Sequence, residues 1–454
     1  MNSSAMIKAV VENDMCIGCG ACAAKSKNNA IKMRVNDYGF YVADVKEDII
    51  DDDSIKVCPF NPNPDEQVRT ENEIAALFLI ESDNNNRKIG RYINTYAGHS
   101  VEHRLTSSSG GIATYALSEL MRRGEIQHVI SVKTASSSSI HYEYVVSSSI
   151  EQVGQAAKTK YYPVTMAEVL RKIQHLDGKV AIVGVACFIK AIRLMQVQDP
   201  EFRDKVAFLI GIICGGVKST FFAEYLASKT GVSASEFSQP EFRIKEHSSS
   251  ASDYSYGCLD AKNEKHTVKM RSVGDMWGTG LFKANACDFC DDVTTELADI
   301  SLGDAWLAPY SNDGRGTNVI VTRSRLADEI IQTGMMKGSL VIEEIYPEKL
   351  IASQQGSFNH RHDGLLYRIN ANKDYSHVIP FKRFDENRLS VLLKIVHSLR
   401  MHARKKSLVV WSQTKNAADF DNAMHRTLYW LKFFTKMSHY QRAIIKRVKK
   451  VLVK

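Results

Sequence analysis

The sequence predicts an α/β protein (α+β overall) in three parts, and three observations predict it. From about residue 95 onward, strand patterns and helix patterns alternate, as βαβ units around a largely parallel sheet do. Three cysteines, Cys16, Cys19 and Cys22, crowd into seven residues, and a Cys-Pro pair follows at Cys58 and Pro59. The charge is divided as well. In a chain of net charge +8, 16 lysines and arginines but only 4 acidic residues lie beyond Phe384. The expected parts are a ferredoxin-like module over 1–80, a central domain over 90–370 and a basic helical extension over 371–454.

A length of 454 residues leaves room for two or three domains. The opening "MNSSAMIKAVVENDM" has no apolar core of a secretory signal. The longest apolar stretch, "VAFLIGIICGGV", falls short of the roughly 20 residues a membrane helix needs. A cytoplasmic chain is expected, and nine cysteines there argue for metal binding or catalysis rather than disulfides.

The segment "MCIGCGACAAKSKNNA" opens like a bacterial ferredoxin motif but has Ser26 and Lys27 where the fourth cysteine and its proline belong. In two-cluster ferredoxins each run's fourth cysteine ligates the other run's cluster. Cys58 has the look of the second run's last cysteine. Counting back from it by the same spacing reaches Ser54, Asp51 and Asp48. The set Cys16, Cys19, Cys22 and Cys58 is therefore complete, while positions 26, 48, 51 and 54 hold no cysteine. One 4Fe-4S cluster is expected to remain and the other to be deleted. Zinc accepts four thiolates too. Zinc modules use two separated C-x2-C pairs, however, and three cysteines in seven residues suit a cluster corner better.

In the middle of the chain, "GGIATYALSELMRRG" has helical apolar spacing, and "HVISV" follows as a strand. "TMAEVLRKIQHLDG" reads as a helix from Thr165 to near Gly178, with Thr165 and Glu168 in capping-box positions. The strand "KVAIVGVA", the helix "FIKAIRLMQ", the strand "VAFLIGIIC" and the helix "STFFAEYLASKTG" come next. Cys187 and Cys214 fall at consecutive strand ends, where open α/β sheets bind ligands. With the C-x2-C pair Cys287 and Cys290 they form a second candidate four-thiolate set. On spacing alone, Cys187 and Cys214 serve equally well as core residues. Ser-Ser-Gly-Gly at 108–111 reads on its own as a turn and helix cap.

Six ordered blocks carry a resemblance: "TSSSGGIATYALSELMRRG", "AKTKYYPV", "KVAIVGVACFIKAIRLM", "FLIGIICGGVKS", "CDFCDDVTTELADISLGDAW" and "GTNVIVTRS". Over roughly residues 1–370 the chain resembles the family of coenzyme F420 hydrogenase/dehydrogenase beta subunits, in the form encoded among bacterial polysaccharide genes. The resemblance implies a 4Fe-4S cluster on Cys187, Cys214, Cys287 and Cys290 beside FAD. It also implies flavin contacts at Ser108, Ser109, Gly110, Gly111, Thr159, Lys160 and Tyr161. Small residues entering a helix let backbone N–H groups approach a pyrophosphate. Two departures stand out. Gly184-Val185-Ala186-Cys187-Phe188 replaces the family's Gly-Thr-Pro-Cys-Gln, and Cys214-Gly215-Gly216 replaces Cys-His-Gly. His99, His103 and Tyr161 lie near the flavin blocks without an assigned proton-donor role. Cys258 belongs to neither set and is expected to be structural.

The expected function is that of an iron–sulfur flavoprotein oxidoreductase. It takes electrons from a ferredoxin-like donor through two 4Fe-4S clusters to FAD and an organic, sugar-derived substrate. The alternatives are an electron-transfer component of a larger redox complex and a zinc-stapled binding protein. In the extension, "RLSVLLKIVHSLRMHARKK" and "TLYWLKFFTKMSHYQRAIIKRVKKVLVK" are basic amphipathic helices with aromatics, able to lie on anionic lipid. A solvated, partly packed tail is the other reading. No nucleic-acid motif accompanies the charge.

Overall fold

The computed structural model describes residues 2–46, 53–136, 140–372, 377–384 and 389–452, with side chains to residue 444. Asp48 and Asp51 lie outside the described residues.

An eight-stranded mixed sheet organises the molecule. From edge to edge its strands are Leu340–Glu344, Asn94–Ser100, Asn318–Thr322, Ile300–Asp304, Val206–Ile212, Val180–Val185, His128–Thr134 and Tyr142–Ser147. The four strands from Ile300–Asp304 to His128–Thr134 run parallel, and every other neighbouring pair is antiparallel. The parallel run expected from the alternating pattern is thus the centre of the sheet. Its strands are continuous apolar runs because both faces are covered, by Ile112–Arg122 and Arg325–Met336 on one side and Ala186–Gln198 and Thr220–Lys229 on the other.

Helix boundaries follow local chemistry. Ser219 caps Thr220–Lys229 by accepting from Phe221 N, and Ser324 caps Arg325–Met336 through Ala327 N. The helix expected over 165–178 is shorter: Ala167–Lys172, followed by a tighter turn at Ile173–His175. Its capping box does not form. Met166 occupies the cap position without a side-chain bond, and Glu168 reaches forward to Arg171 instead. A three-stranded antiparallel sheet, Ser238–Lys245, Tyr254–Leu259 and Lys265–Lys269, is inserted between the sheet strands. Cys258 is buried there, with its Sγ 3.6 Å from Thr230 Oγ1.

At the N-terminus, helix Ser3–Glu12 packs on the hairpin Ile31–Val35 and Tyr41–Val45. The described positions of the deleted ligand set are filled. Ser26 Oγ accepts from Ile31 N at 3.0 Å, Ser54 is fully buried, and Ile7, Ile31 and Ile55 pack beside them.

The C-terminal extension is a helical hairpin, Val391–Thr414 and Ala417–Leu452. It docks on Thr220–Lys229 through an aromatic box of Tyr225, Phe282, Trp411 and Phe420. Trp411 Nε1 donates to Glu224 at 2.8 Å, and Asp421 accepts from Tyr225 and Lys229. The first helix also grips the C-x2-C segment, where Arg404 pairs with Asp288 at 2.9 Å. The near half of this extension is packed.

Candidate redox centres

The first thiol set converges. Cys16, Cys19, Cys22 and Cys58 line one small cavity together with Gly18, Gly20, Met33 and Phe60. Gly20 makes the tight loop possible. Its φ is +85°, and a Cβ there would stand 2.6 Å from Ala167 N. The carbonyl of Cys19 accepts from Met166 N, which ties the loop to the central domain. Burial pushes the Cys19 thiol up to about 12, and its neighbour Cys16 adds to the rise. Cys22 is raised by burial and by Cys19, Cys16 and Cys58. Four thiolates this close are stable only against added positive charge, which is what bound iron or zinc would supply.

The second set converges from three elements. Cys187 sits in the first turn of Ala186–Gln198, where the helix dipole favours a thiolate. Cys214 follows strand Val206–Ile212, and Cys287 and Cys290 flank the end of the turn Asn285–Phe289. Burial raises Cys187 first, and then Cys287, Cys290 and Cys214 do so. Burial pushes Cys287 up to about 12, with Cys214 adding to it. Backbone donors already face the sulfurs: Gly216 N to Cys214 Sγ at 3.2 Å and Val217 N to Cys287 Sγ at 3.3 Å.

Cations surround this second set. Arg361 Nη1 lies 3.6 Å from Cys290 Sγ, and the same guanidinium donates to the carbonyls of Cys214 and Asp292. Lys283 is buried beside Cys287 and pairs with Asp288 at 2.6 Å. Arg361 belongs to a π-turn, Asn359–Asp363, that also aims His360 at Lys283 and His362 at the Asp291 carbonyl. Sequence reasoning missed Arg361 and Lys283. The basic run His360-Arg361-His362 was the available signal.

The two sets are neighbours. The charge of Cys19 is felt at Cys187, and both act on the Tyr144 hydroxyl. Tyr144 donates to Val183 O and stacks on Phe188, so one aromatic side chain stands by both thiol groups.

Among the described residues neither set brings three ligand atoms within 4.8 Å of one another. Tetrahedral zinc with Zn–S near ~2.3 Å needs sulfurs about 3.8 Å apart. The group that does meet the limit, Asp260, Glu264 and His266, spans the hairpin turn and the start of strand Lys265–Lys269. There Asp260 Oδ1 accepts from Lys262 N and Glu264 N, holding the turn itself.

The expected flavin segments meet as well, at Ser108 Oγ, which accepts from Thr159 N at 2.8 Å. Gly111 begins the helix Ile112–Arg122 at φ +81°, and Asn318 Oδ1 accepts from its first N–H, that of Ile112, at 3.4 Å. Ser109 Oγ donates to Thr317 O, and the carbonyl of Gly110 accepts from Ser100 N. Lys160 Nζ is engaged by the carbonyls of Ala156, Ala157 and Lys158, and burial lowers it to about 7. Tyr161 packs edge-on to Trp277 and faces Arg243. Ser107 Oγ, His103 Nε2 and Arg243 Nε are buried here without hydrogen-bond partners. Burial, then Arg104 and Arg315, lower His99 to about 4.

Comparison with known proteins places these sites in context. Residues 95–171 match the profile of the N-terminal part of the coenzyme F420 hydrogenase/dehydrogenase beta subunit, and residues 177–348 match the profile of its C-terminal part. The chain is 23% identical over 316 residues to an F420H2 dehydrogenase subunit of Methanosarcina mazei, covering 65% of this chain and 77% of that one. It is 22% identical over 364 residues to the coenzyme F420-dependent sulfite reductase of Methanocaldococcus jannaschii, covering 75% of this chain and 49% of the relative. Among solved structures, the F420-reducing nickel–iron hydrogenase complex of Methanosarcina barkeri aligns with a TM-score of 0.48 at 19% identity, over 66% of this chain and 98% of that one. Among the described residues no helix is long and apolar enough to cross a membrane.

Proposed function

The chain belongs to the family of coenzyme F420 hydrogenase/dehydrogenase beta subunits, and from that premise we propose that it is an electron-transfer subunit of a redox complex. In this reading Cys16, Cys19, Cys22 and Cys58 hold one 4Fe-4S cluster, and Cys187, Cys214, Cys287 and Cys290 hold a second. The observation that carries it is the convergence of two four-thiol groups, half-buried to buried, whose Cys187 and Cys19 both act on Tyr144. Their spread suits a cluster better than a single zinc ion, and the backbone donors on Cys214 and Cys287 are what cluster sulfurs require.

FAD at the Ser108–Gly111 turn is the finer part of the proposal. The helix start at Gly111 and the Ser107 hydroxyl, buried without a hydrogen-bond partner, suit a hydrogen-bonding, anionic ligand. Lys160 and Ser109 already serve backbone carbonyls, so they would orient the wall rather than grip the ligand. Clusters carry single electrons and a flavin pairs them for hydride chemistry. Ser108 joins the two flavin segments, while the nearby Arg104 and Arg243 guanidiniums are already paired with Asp313 and Asp304 and would add little net charge.

Both sequence relatives described above are F420-linked redox proteins, one of them part of a dehydrogenase assembly, which favours a partner complex over a self-sufficient sugar-modifying enzyme. Nothing among the described residues singles out a sugar. A ferredoxin-type protein remains the proposed donor.

The test is iron, acid-labile sulfide and flavin per chain on anaerobically purified protein. About eight irons are expected for two 4Fe-4S clusters. Cys58→Ser and Cys287→Ser should each remove about half. A colourless protein containing zinc would overturn the reading.

A further inference from the structure

The second C-terminal helix, Ala417–Leu452, has more apolar surface than its hairpin partner covers. Phe420, Met424 and Leu431 are buried against the body of the protein. A separate stripe, Tyr429, Trp430, Phe433, Met437, Tyr440 and Ile444, remains 41–61% exposed. The spacing follows the helical repeat, so these side chains share one face. The rings of Tyr429, Trp430, Phe433 and Phe434 touch one another along that face.

The charge beside the stripe has one sign. From Asn422 to Lys454 the chain carries nine lysines and arginines and no acidic residue. Arg426, Lys432 and Lys436 are exposed in or beside the aromatic face. The last acid, Asp421, is already paired with Lys229 and Tyr225.

We propose that this face lies in the plane of an anionic lipid surface, with the aromatic stripe sunk among the headgroups and the lysines on their phosphates. Tyr, Trp and Phe beside Lys and Arg on one helix face is the composition that interfacial helices use. A second copy of the chain is disfavoured as the occupant, because a symmetric contact would set nine cations against nine. The helix rests on the surface rather than spanning it, since among the described residues none is long and apolar enough to cross.

The test is cosedimentation of the full-length protein with vesicles of phosphatidylcholine alone and of phosphatidylcholine with phosphatidylglycerol. Binding is expected only to the anionic vesicles, with a blue shift in tryptophan emission. It should be released on raising salt to about 1 M, where screening shortens to ~3 Å. Lys432→Gln with Lys436→Gln should weaken binding about fivefold per cation removed. Trp430→Ser with Phe433→Ser should abolish it while leaving iron content unchanged, since both side chains are exposed. The proposal is overturned by no binding to either vesicle, by equal binding to both, or by variants that bind like the parent. It is also overturned if the stripe variants instead abolish self-association or the capture of a purified acidic partner protein.

Discussion

The guanidinium of Arg361 stands 3.6 Å from the sulfur of Cys290. It is fixed there by the carbonyls of Cys214 and Asp292. A buried positive charge beside a cluster favours its reduced form. Arg361→Gln should therefore lower the potential of the cluster at Cys187, Cys214, Cys287 and Cys290 by about 60 mV, equivalent to ~1.4 kcal/mol for one electron. An EPR-monitored redox titration reads this directly. An unchanged potential would remove Arg361 from any tuning role, and Arg361→Lys should recover part of the shift.

Ser26 stands where a second ferredoxin cluster would draw a ligand, yet its hydroxyl serves Ile31 N. Ser26→Ala should cost about 1 kcal/mol in chemical denaturation, because a buried N–H loses its acceptor. Ser26→Cys should add no iron, since Ile7, Ile31 and Ile55 fill the neighbouring space. Extra iron in that variant would show that the deleted site can still be rebuilt.

Gly20 holds the first thiol loop at φ +85°, and a methyl group there meets the backbone of Ala167. Gly20→Ala should destabilise the protein by more than ~1 kcal/mol. Its iron content should fall toward that of Cys58→Ser. Full iron at parental stability would contradict the geometry.

His397 and His362 supply a pH dependence. Burial, with Arg368 and Arg400 nearby, holds His397 down to about 3, and burial holds His362 at about 4. Both are neutral in the fold and take up protons on unfolding below their ordinary value near 6.5. Their contribution is complete above about pH 6.5 and is lost as pH falls toward 4, by up to ~1.4 kcal/mol per unit for each histidine. Urea midpoints at pH 7 and pH 5 should show the loss, and His397→Gln should lessen it. An identical loss in the variant would assign the effect to other groups.

The legible parts of the sequence were those with local causes. The apolar spacing in Ile112–Arg122 and the continuous runs at Val180–Val185 and Val206–Ile212 announce themselves within a dozen residues. The antiparallel flank did not. Asn94–Ser100 pairs with Asn318–Thr322 and Leu340–Glu344, partners more than two hundred residues away, so nothing local specifies the register. Cys16, Cys19 and Cys22 could be grouped because they lie within seven residues, whereas joining Cys187 and Cys214 to Cys287 and Cys290 needed the family resemblance. Arg361 was not, because a π-turn has no period in the sequence and its target, Cys290, is remote. The capping box at Thr165 did not form because the helix begins one residue later, with Met166 at the cap and its N–H held by the carbonyl of Cys19.

Tyr144, on whose hydroxyl Cys187 and Cys19 both act, bears on how the proposed clusters would fill with electrons. Cys19 of the first set already disfavours negative charge on Cys187 of the second, as the last of the causes that raise it. With clusters in both sets, an electron on one would, by the same repulsion, oppose an electron on the next. A pair coupled in this way prefers to hold one electron at a time and to pass it on before accepting another. Such a pair acts as a one-electron gate rather than a store.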